Sequence, residues 1–273
     1  MIGGGDLDLI TIFAILSLLL VALIFSPLGL GGGVLYVPIL YYMLEWEMQE
    51  AVIGSLTLVL MVSLGSSLAH SKAGLADKEA SNAGRITAIP SAIIGTILSG
   101  LFISLLGDII IKIISTIILI FVIERTIRQM KNKIVESKEA SLSEKKTPYL
   151  LGNSFAGLSS GILGIGGGAI LVTANRSILR MDANKAAGTS YLVVSTIVPV
   201  ALISHIILDG VTGNLIDRIK LLPIMIFIPH LAFVSSFIGA KYAIKHLSKY
   251  TVTIVFLCAV SLSLLRYIID FIN

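Results

Sequence analysis

The sequence predicts an all-α polytopic membrane protein built from two inverted-topology repeats. Each repeat is expected to hold a Gly-rich re-entrant or broken helical hairpin and about three full spans. Three observations carry this expectation. The chain of 273 residues is 56% hydrophobic and 13% charged, where a soluble domain carries roughly 25% charge, and its mean hydropathy is +0.98. The block Pro27-Leu28-Gly29-Leu30-Gly31-Gly32-Gly33 returns 135 positions later as Ile162-Leu163-Gly164-Ile165-Gly166-Gly167-Gly168. The Lys and Arg residues gather between the apolar runs rather than inside them.

The first apolar run, 9–25, follows Asp6 and Asp8 with no Lys or Arg before it. It therefore lacks the basic n-region of a signal peptide and is expected to stay in the mature fold. The runs 34–44, 51–69, 86–106 and 109–123 follow. Of these, 51–69 and 86–106 carry no charge over 19 and 21 residues, lengths that match a hydrocarbon core of about 30 Å. Residues 124–147 hold seven basic and four acidic residues and end before Pro148. They read as a charged cytoplasmic linker whose helical spacing extends the preceding helix. The second series of apolar runs is 149–163, 169–179, 186–208, 221–240 and 250–265. The chain thus divides into a first repeat (1–123), the linker (124–147) and a second repeat (148–273).

Residues 26–74 lie over 161–209 without a gap, with identities at Gly29/Gly164, the three consecutive glycines, Val37/Val172, Ala51/Ala186, Ser55/Ser190 and His70/His205. A slip of four residues then aligns Pro90 with Pro229 and Gly100 with Gly239. Such self-similarity marks an internal repeat. The runs 34–44 and 169–179 have 11 residues each, about 16 Å as helix, too short to span. If each glycine block is the tip of a hairpin that returns to the side it entered from, each half keeps three full spans and the second half is inverted. Sixteen of the twenty Lys and Arg then fall on the linker side, leaving Lys112, Arg218, Lys220 and Arg266 on the other. With parallel repeats the split is 13 against 7. A cytoplasmic excess of Lys and Arg is the normal bias, so the inverted arrangement with a cytoplasmic linker is expected.

Interior glycines cost about 0.5–1 kcal/mol each relative to alanine, so two dense glycine blocks in apolar segments have another purpose. Gly29, Gly31, Gly32 and Gly33, with Gly164, Gly166, Gly167 and Gly168, offer bare backbone N–H groups just before helix N-termini, which attract anions. Breaks in corresponding halves of a transporter point to a site between them. The competing reading is close helix packing through small residues. Ser55, Thr189 and Ser190 are expected in the first turns of the spans that follow the hairpins, as anion donors, and Thr57 with them; local bonds to the preceding turn are the alternative. Asn153 and Thr173 are weaker candidates. His70, His205 and His230 are candidate pathway or proton-linked residues, since histidine titrates near neutral pH; an interfacial role is the alternative for the first two. Pro90, Pro199 and Pro229 are expected to kink spans.

The single cysteine, Cys258, excludes an intramolecular disulfide framework and reads as a packing residue. Gly164-Ile-Gly-Gly-Gly-Ala fits a dinucleotide fingerprint, but no strand–turn–helix unit surrounds it. There is no His-rich metal motif, activated nucleophile or intramembrane carboxylate pair, so neither an enzyme nor a metal or cofactor is expected. The expected partners are a small anionic substrate and the lipid bilayer, with no nucleic acid; a homodimer stays open.

Gly29–Leu40, reading Gly-Leu-Gly-Gly-Gly-Val-Leu-Tyr-Val-Pro-Ile-Leu, resembles the first signature of the TauE/SafE family of sulfite and organosulfonate permeases. Gly157 to Gly168 is similar to its second signature, and Ala186-Ala-Gly-Thr-Ser190 to the segment that follows. The resemblance covers nearly the whole chain and implies a secondary transporter of the plasma membrane for a small organic or sulfur oxyanion such as sulfite or sulfoacetate. It departs at Thr173, where the family usually has a proline, as Pro38 follows the first block. Alternating access around the two glycine tips is the expected mechanism, and a channel-like anion pore using the same donors is the alternative.

Overall fold

The computed structural model describes residues 8–131, 139–246 and 248–272, and every regular element in them is helical. Asp6 and linker residues 132–138 lie outside the described residues. Among the described residues, four helices are long and apolar enough to cross a membrane: Leu9–Leu28, Met48–Lys72, Lys78–Leu106 and Ala183–Leu208. Large apolar side chains such as Leu9, Ile86, Leu105 and Ile207 stand exposed on the outside, where a bilayer is the solvent that accepts them.

Helix starts follow the acidic caps in the sequence. Asp8 accepts from the Thr11 N–H and opens α1 (Leu9–Phe25). After the first glycine block come α2 (Gly33–Pro38) and a π-helical stretch, Ile39–Met43. Glu47 and Glu50 form a capping box at α3 (Met48–Lys72), satisfying N–H groups that a helix start leaves open. Asp77 caps α4 (Lys78–Leu106), and α5 is Ile109–Lys131, so the helix does continue into the charged stretch. The second half starts with α6 (Lys146–Leu163) and α7 (Gly168–Ser177). Asp182, which stands 135 positions after Glu47, caps α8 (Ala183–Leu208). Glu45 and Arg180, also 135 apart, are the only non-glycine residues with positive φ among those described.

The last part differs from the expected single run over 221–240. A short amphipathic helix, α9 (Thr212–Leu221), precedes a turn started by Pro223, and α10 (Ile228–His246) begins only after it. Pro229 therefore lies in the first turn of α10, where its missing N–H breaks no bond, and it kinks nothing; Pro90 and Pro199 do lie inside α4 and α8. The last helix is α11 (Lys249–Ile272), and Cys258 on it is exposed rather than packed.

Packing exchanges partners between the halves. Helices α3 and α8 pack on each other, α4 packs mainly on α6 and α8, α10 on α1 and α3, and α5 on α11. The α4–α6 seam is close enough that a Cβ on Gly157 would overlap the Ala88 carbonyl, and one on Gly161 the Ala92 carbonyl. Small residues allow this approach where apolar burial alone gives no drive for helix association. Hydroxyls reinforce it: Thr87 donates to the Leu150 carbonyl at 2.8 Å, and Ser91 meets Ser154 at 2.7 Å.

Candidate functional site

Both glycine blocks form the same turn. Gly29, Gly31 and Gly32 have φ of 78°, 71° and 81°, and Gly164, Gly166 and Gly167 have 68°, 75° and 68°. Only glycine takes this left-handed region readily, and three such positions in a row of four explain the composition of each block. Gly32 and Gly167 are the N-cap residues of α2 and α7.

The two turns meet in the interior. Ser55 donates to the Gly164 carbonyl at 2.7 Å, and Ser190 to the Gly29 carbonyl at 2.9 Å. These bonds are reciprocal at the 135-residue offset: each half supplies a serine to the other half's turn. Ser190 also lies 3.3 Å from the Gly168 carbonyl. The contact is backbone on backbone, because a Cβ on Gly33 would fall 2.5 Å from the Ile165 Cα, and one on Gly168 would fall 2.7 Å from the Gly29 carbonyl oxygen. All eight block glycines are buried, and in this conformation they let the two turns pack backbone on backbone.

The other expected donors are distributed more widely. Because α3 and α8 begin early, Ser55, Thr57, Thr189 and Ser190 sit a turn deeper than expected. Thr57 bonds locally to the Ile53 carbonyl at 2.9 Å. Thr189 accepts from the Asp77 N–H at 2.9 Å and ties α8 to the start of α4, away from the turns. Asn153 donates to the Tyr149 carbonyl at 2.8 Å. Tyr191, which sequence reasoning missed, accepts from the Gly31 N–H at 3.4 Å and donates to the Phe25 carbonyl at 3.0 Å, bridging the first turn. The position 135 residues before it is Leu56, so the repeat gave no signal.

The histidines separate into three situations. His70 is fully buried, with Nδ1 donating to the Ser66 carbonyl at 2.9 Å and its ring 5.8 Å from that of Tyr191. His205 is buried too; Nε2 donates to the Gly161 carbonyl at 2.7 Å, and Nδ1 lies 2.7 Å from Asp209 Oδ2. Both are enclosed by protein rather than exposed on its surface. With Nε2 committed as a donor, the His205–Asp209 contact requires one proton shared by the pair. The Gly161 carbonyl belongs to the last turn of α6, whose open acceptors are also met by Ser99 on the Ile162 carbonyl at 2.9 Å. His230 does not belong with these. It is exposed in the first turn of α10, bonded to the Ile226 carbonyl at 3.1 Å, because the break at Pro223 moved the helix start.

Beside the turns lies a cavity of about 330 Å³. It reaches Leu30 and Ala169, the neighbours of Gly29, Gly31 and Gly168, and is bounded by Val122, Thr126 and Met130 of α5, by Val172, Thr173 and Arg176 of α7, and by Tyr250 and Thr253 of α11. The expected Thr173 is therefore a wall residue. Arg176, one turn further on the same helix, is also a wall residue; in the sequence it counts only among the sixteen Lys and Arg of the linker side. Its i, i+3 spacing from Thr173 was the available signal.

A model of the family described as sulfite exporter TauE/SafE matches residues 14–267 of the chain. No curated protein and no solved structure matches it.

Proposed function

The chain belongs to the TauE/SafE sulfite exporter family of membrane transporters, and on that premise we propose that it is a secondary transporter moving a small organic or sulfur-containing oxyanion across the plasma membrane by alternating access. The observation that carries this reading is a closed barrier with a cavity on one side of it. The two glycine turns are locked by the Ser55–Gly164 and Ser190–Gly29 bonds, and the cavity ends against Leu30 and Ala169 beside them.

In this proposal residues 1–123 and 148–273 are inverted repeats and 124–147 is the cytoplasmic linker. The reciprocal serine bonds, the exchange of packing partners by α4 and α10, and the sixteen-to-four distribution of basic residues all support inversion. The cavity is bordered by the end of α5, by Arg176 and by Tyr250 next to Lys249; by the charge rule these face the cytoplasm, so this is the inward-open state. The substrate enters there and meets the first N–H groups of α7, whose dipole favours an anion. Transport then requires the turns to part. Ser55 and Ser190 exchange carbonyl partners for the substrate, and the freed N–H groups of Gly29, Gly31–Gly33, Gly164 and Gly166–Gly168 become available to it.

Reconstituted into proteoliposomes, the protein is expected to take up radiolabelled sulfite saturably, with uptake accelerated by unlabelled sulfite inside. Stepwise single-channel currents in a planar bilayer, with no counterflow, are the result that replaces the transporter by an anion pore.

A further inference from the structure

We propose that Arg85 and Lys78 hold the phosphate of an anionic phospholipid whose acyl chains lie along the groove between α4 and α8. Arg85 stands seven residues after the start of α4, a helix long and apolar enough to cross a membrane. Its guanidinium lies across α8. Nε and Nη2 both donate to the Leu192 carbonyl, at 3.2 and 2.6 Å, and Nε also lies 3.2 Å from Thr196 Oγ1. Nη1 donates to Asn82 Oδ1 at 2.7 Å. A guanidinium has five N–H donors; these bonds use three and leave one on Nη1 and one on Nη2. Among the described residues, no carboxylate pairs with Arg85 or Lys78. Of the acids near them in the chain, Asp77 caps α4 and pairs with Lys185, and Glu79 is exposed, about a third of a turn round the helix from Arg85. A cation fixed in a spanning helix, with donors left and no counter-charge, calls for an anion.

The surroundings select a lipid over a soluble anion. Lys78, Asn82, Arg85, Ile89 and Ile93 recur every three or four residues along one side of α4, polar and cationic at the start and apolar beyond. On α8 the matching stripe is Leu192, Thr196, Pro199 and Ile203. The Ser195 and Thr196 hydroxyls beside Arg85 donate to carbonyls of their own helix, Leu192 and Val193. Ile86, Ile93 and Ile203 are 70%, 40% and 56% exposed, so the groove opens to the bilayer. Helix α4 has 29 residues, about 44 Å; centred on a hydrocarbon core of about 30 Å, its first ~7 Å stand among head groups. Arg85, about 10 Å from the start, then sits at the edge of the hydrocarbon with Lys78 above it. Basic pockets between spanning helices on the cytoplasmic side bind anionic head groups, and in the inverted arrangement this leaflet is the cytoplasmic one. The second half has no equivalent: at the offset that aligns Pro90 with Pro229, Arg85 falls on Ile224, in the turn begun by Pro223. The site is therefore separate from the repeated glycine turns and does not depend on the transport reading.

The test is native mass spectrometry of the full chain released from detergent micelles, titrated with dioleoylphosphatidylglycerol and with dioleoylphosphatidylcholine. Phosphatidylglycerol is expected to bind at least about tenfold tighter, because the choline lipid carries its own cation beside the phosphate. Arg85→Gln should lose at least about tenfold for phosphatidylglycerol and change phosphatidylcholine little. Its amide can still donate to the Leu192 carbonyl, so the contact between α4 and α8 is kept. Lys78→Gln, at an exposed position, should lose about fivefold without affecting folding. Phosphatidylglycerol carrying a diazirine on an acyl chain is expected to crosslink the wild-type protein within 86–93 and 196–203. If Arg85→Gln is not recovered folded, Lys78→Gln and these crosslinks decide. Equal affinity for the two lipids, wild-type phosphatidylglycerol affinity in both variants, or crosslinks confined to other helices overturns the proposal. Displacement of the lipid by equimolar sodium glycerol phosphate also overturns it, because a soluble anion is then the occupant.

Discussion

Gly33→Val is expected to abolish sulfite counterflow and to lower the thermal unfolding temperature of the detergent-purified protein. A Cβ at this position would lie 2.5 and 2.6 Å from the Cα and carbonyl carbon of Ile165, inside any allowed contact, and a backbone cannot turn away as a side chain can. Overpacking a core costs about 1–3 kcal/mol even where side chains give way; here the two turns themselves have to separate. Gly33 has an ordinary helical φ, so the effect isolates the contact between turns from backbone strain. Two controls complete the set. Gly74→Ala meets no atom within 4 Å but has φ +71°, and should cost stability only through strain, without loss of transport. Gly213→Ala, in α9 with nothing within 4 Å, should gain up to about 1 kcal/mol from helix propensity and transport normally.

His205→Ala is expected to have the larger effect on stability. The side chains of His205 and Asp209 are 1% and 2% exposed, and the imidazole also holds the Gly161 carbonyl at the end of α6. Removing it leaves a carboxylate and a carbonyl buried together without partners. Breaking a buried pair on one side costs roughly 3–5 kcal/mol, a large part of the stability of most proteins. Asp209→Asn keeps a hydrogen-bonding group against Nδ1 and should cost clearly less. Unfolding in mixed detergent micelles, followed by circular dichroism, ranks the two; equal losses would mean that the pair is not what holds this corner.

Much of the architecture could be read from the sequence because the determinants are local and occur twice. The glycine blocks announce turns that only glycine forms readily, and their offset also matches Ser55 with Ser190 and Glu47 with Asp182. What the sequence could not give is which half each serine serves. The bonds cross between halves, and nothing in either segment encodes its partner. Tyr191 was invisible for a related reason, since Leu56 replaces it in the other half. The cavity wall comes from the first glycine turn and from α5, α7, α8, α10 and α11, so its composition appears only once these are assembled. Arg176, which in the sequence is only one of the sixteen linker-side cations, reaches the wall because α7 continues through Thr173 to Ser177. His230 and Pro229 were misplaced by a single event, the helix break at Pro223, which an unbroken run of apolar residues conceals. Thr189 has the right chemistry in the right segment, but the Asp77 N–H at the start of α4 takes it.

The arrangement of the two halves is tested most directly at Glu45 and Arg180. They stand 135 positions apart in matching loops and share a positive φ, 52° and 55°. In a Cys258→Ser background, Glu45→Cys and Arg180→Cys would each carry a single thiol, and a membrane-impermeant maleimide would be applied to intact cells and to inverted vesicles. Inverted halves predict that Glu45→Cys is labelled only in cells and Arg180→Cys only in inverted vesicles. Labelling of both from the same face would make the repeats parallel and contradict a two-sided barrier built from the glycine turns.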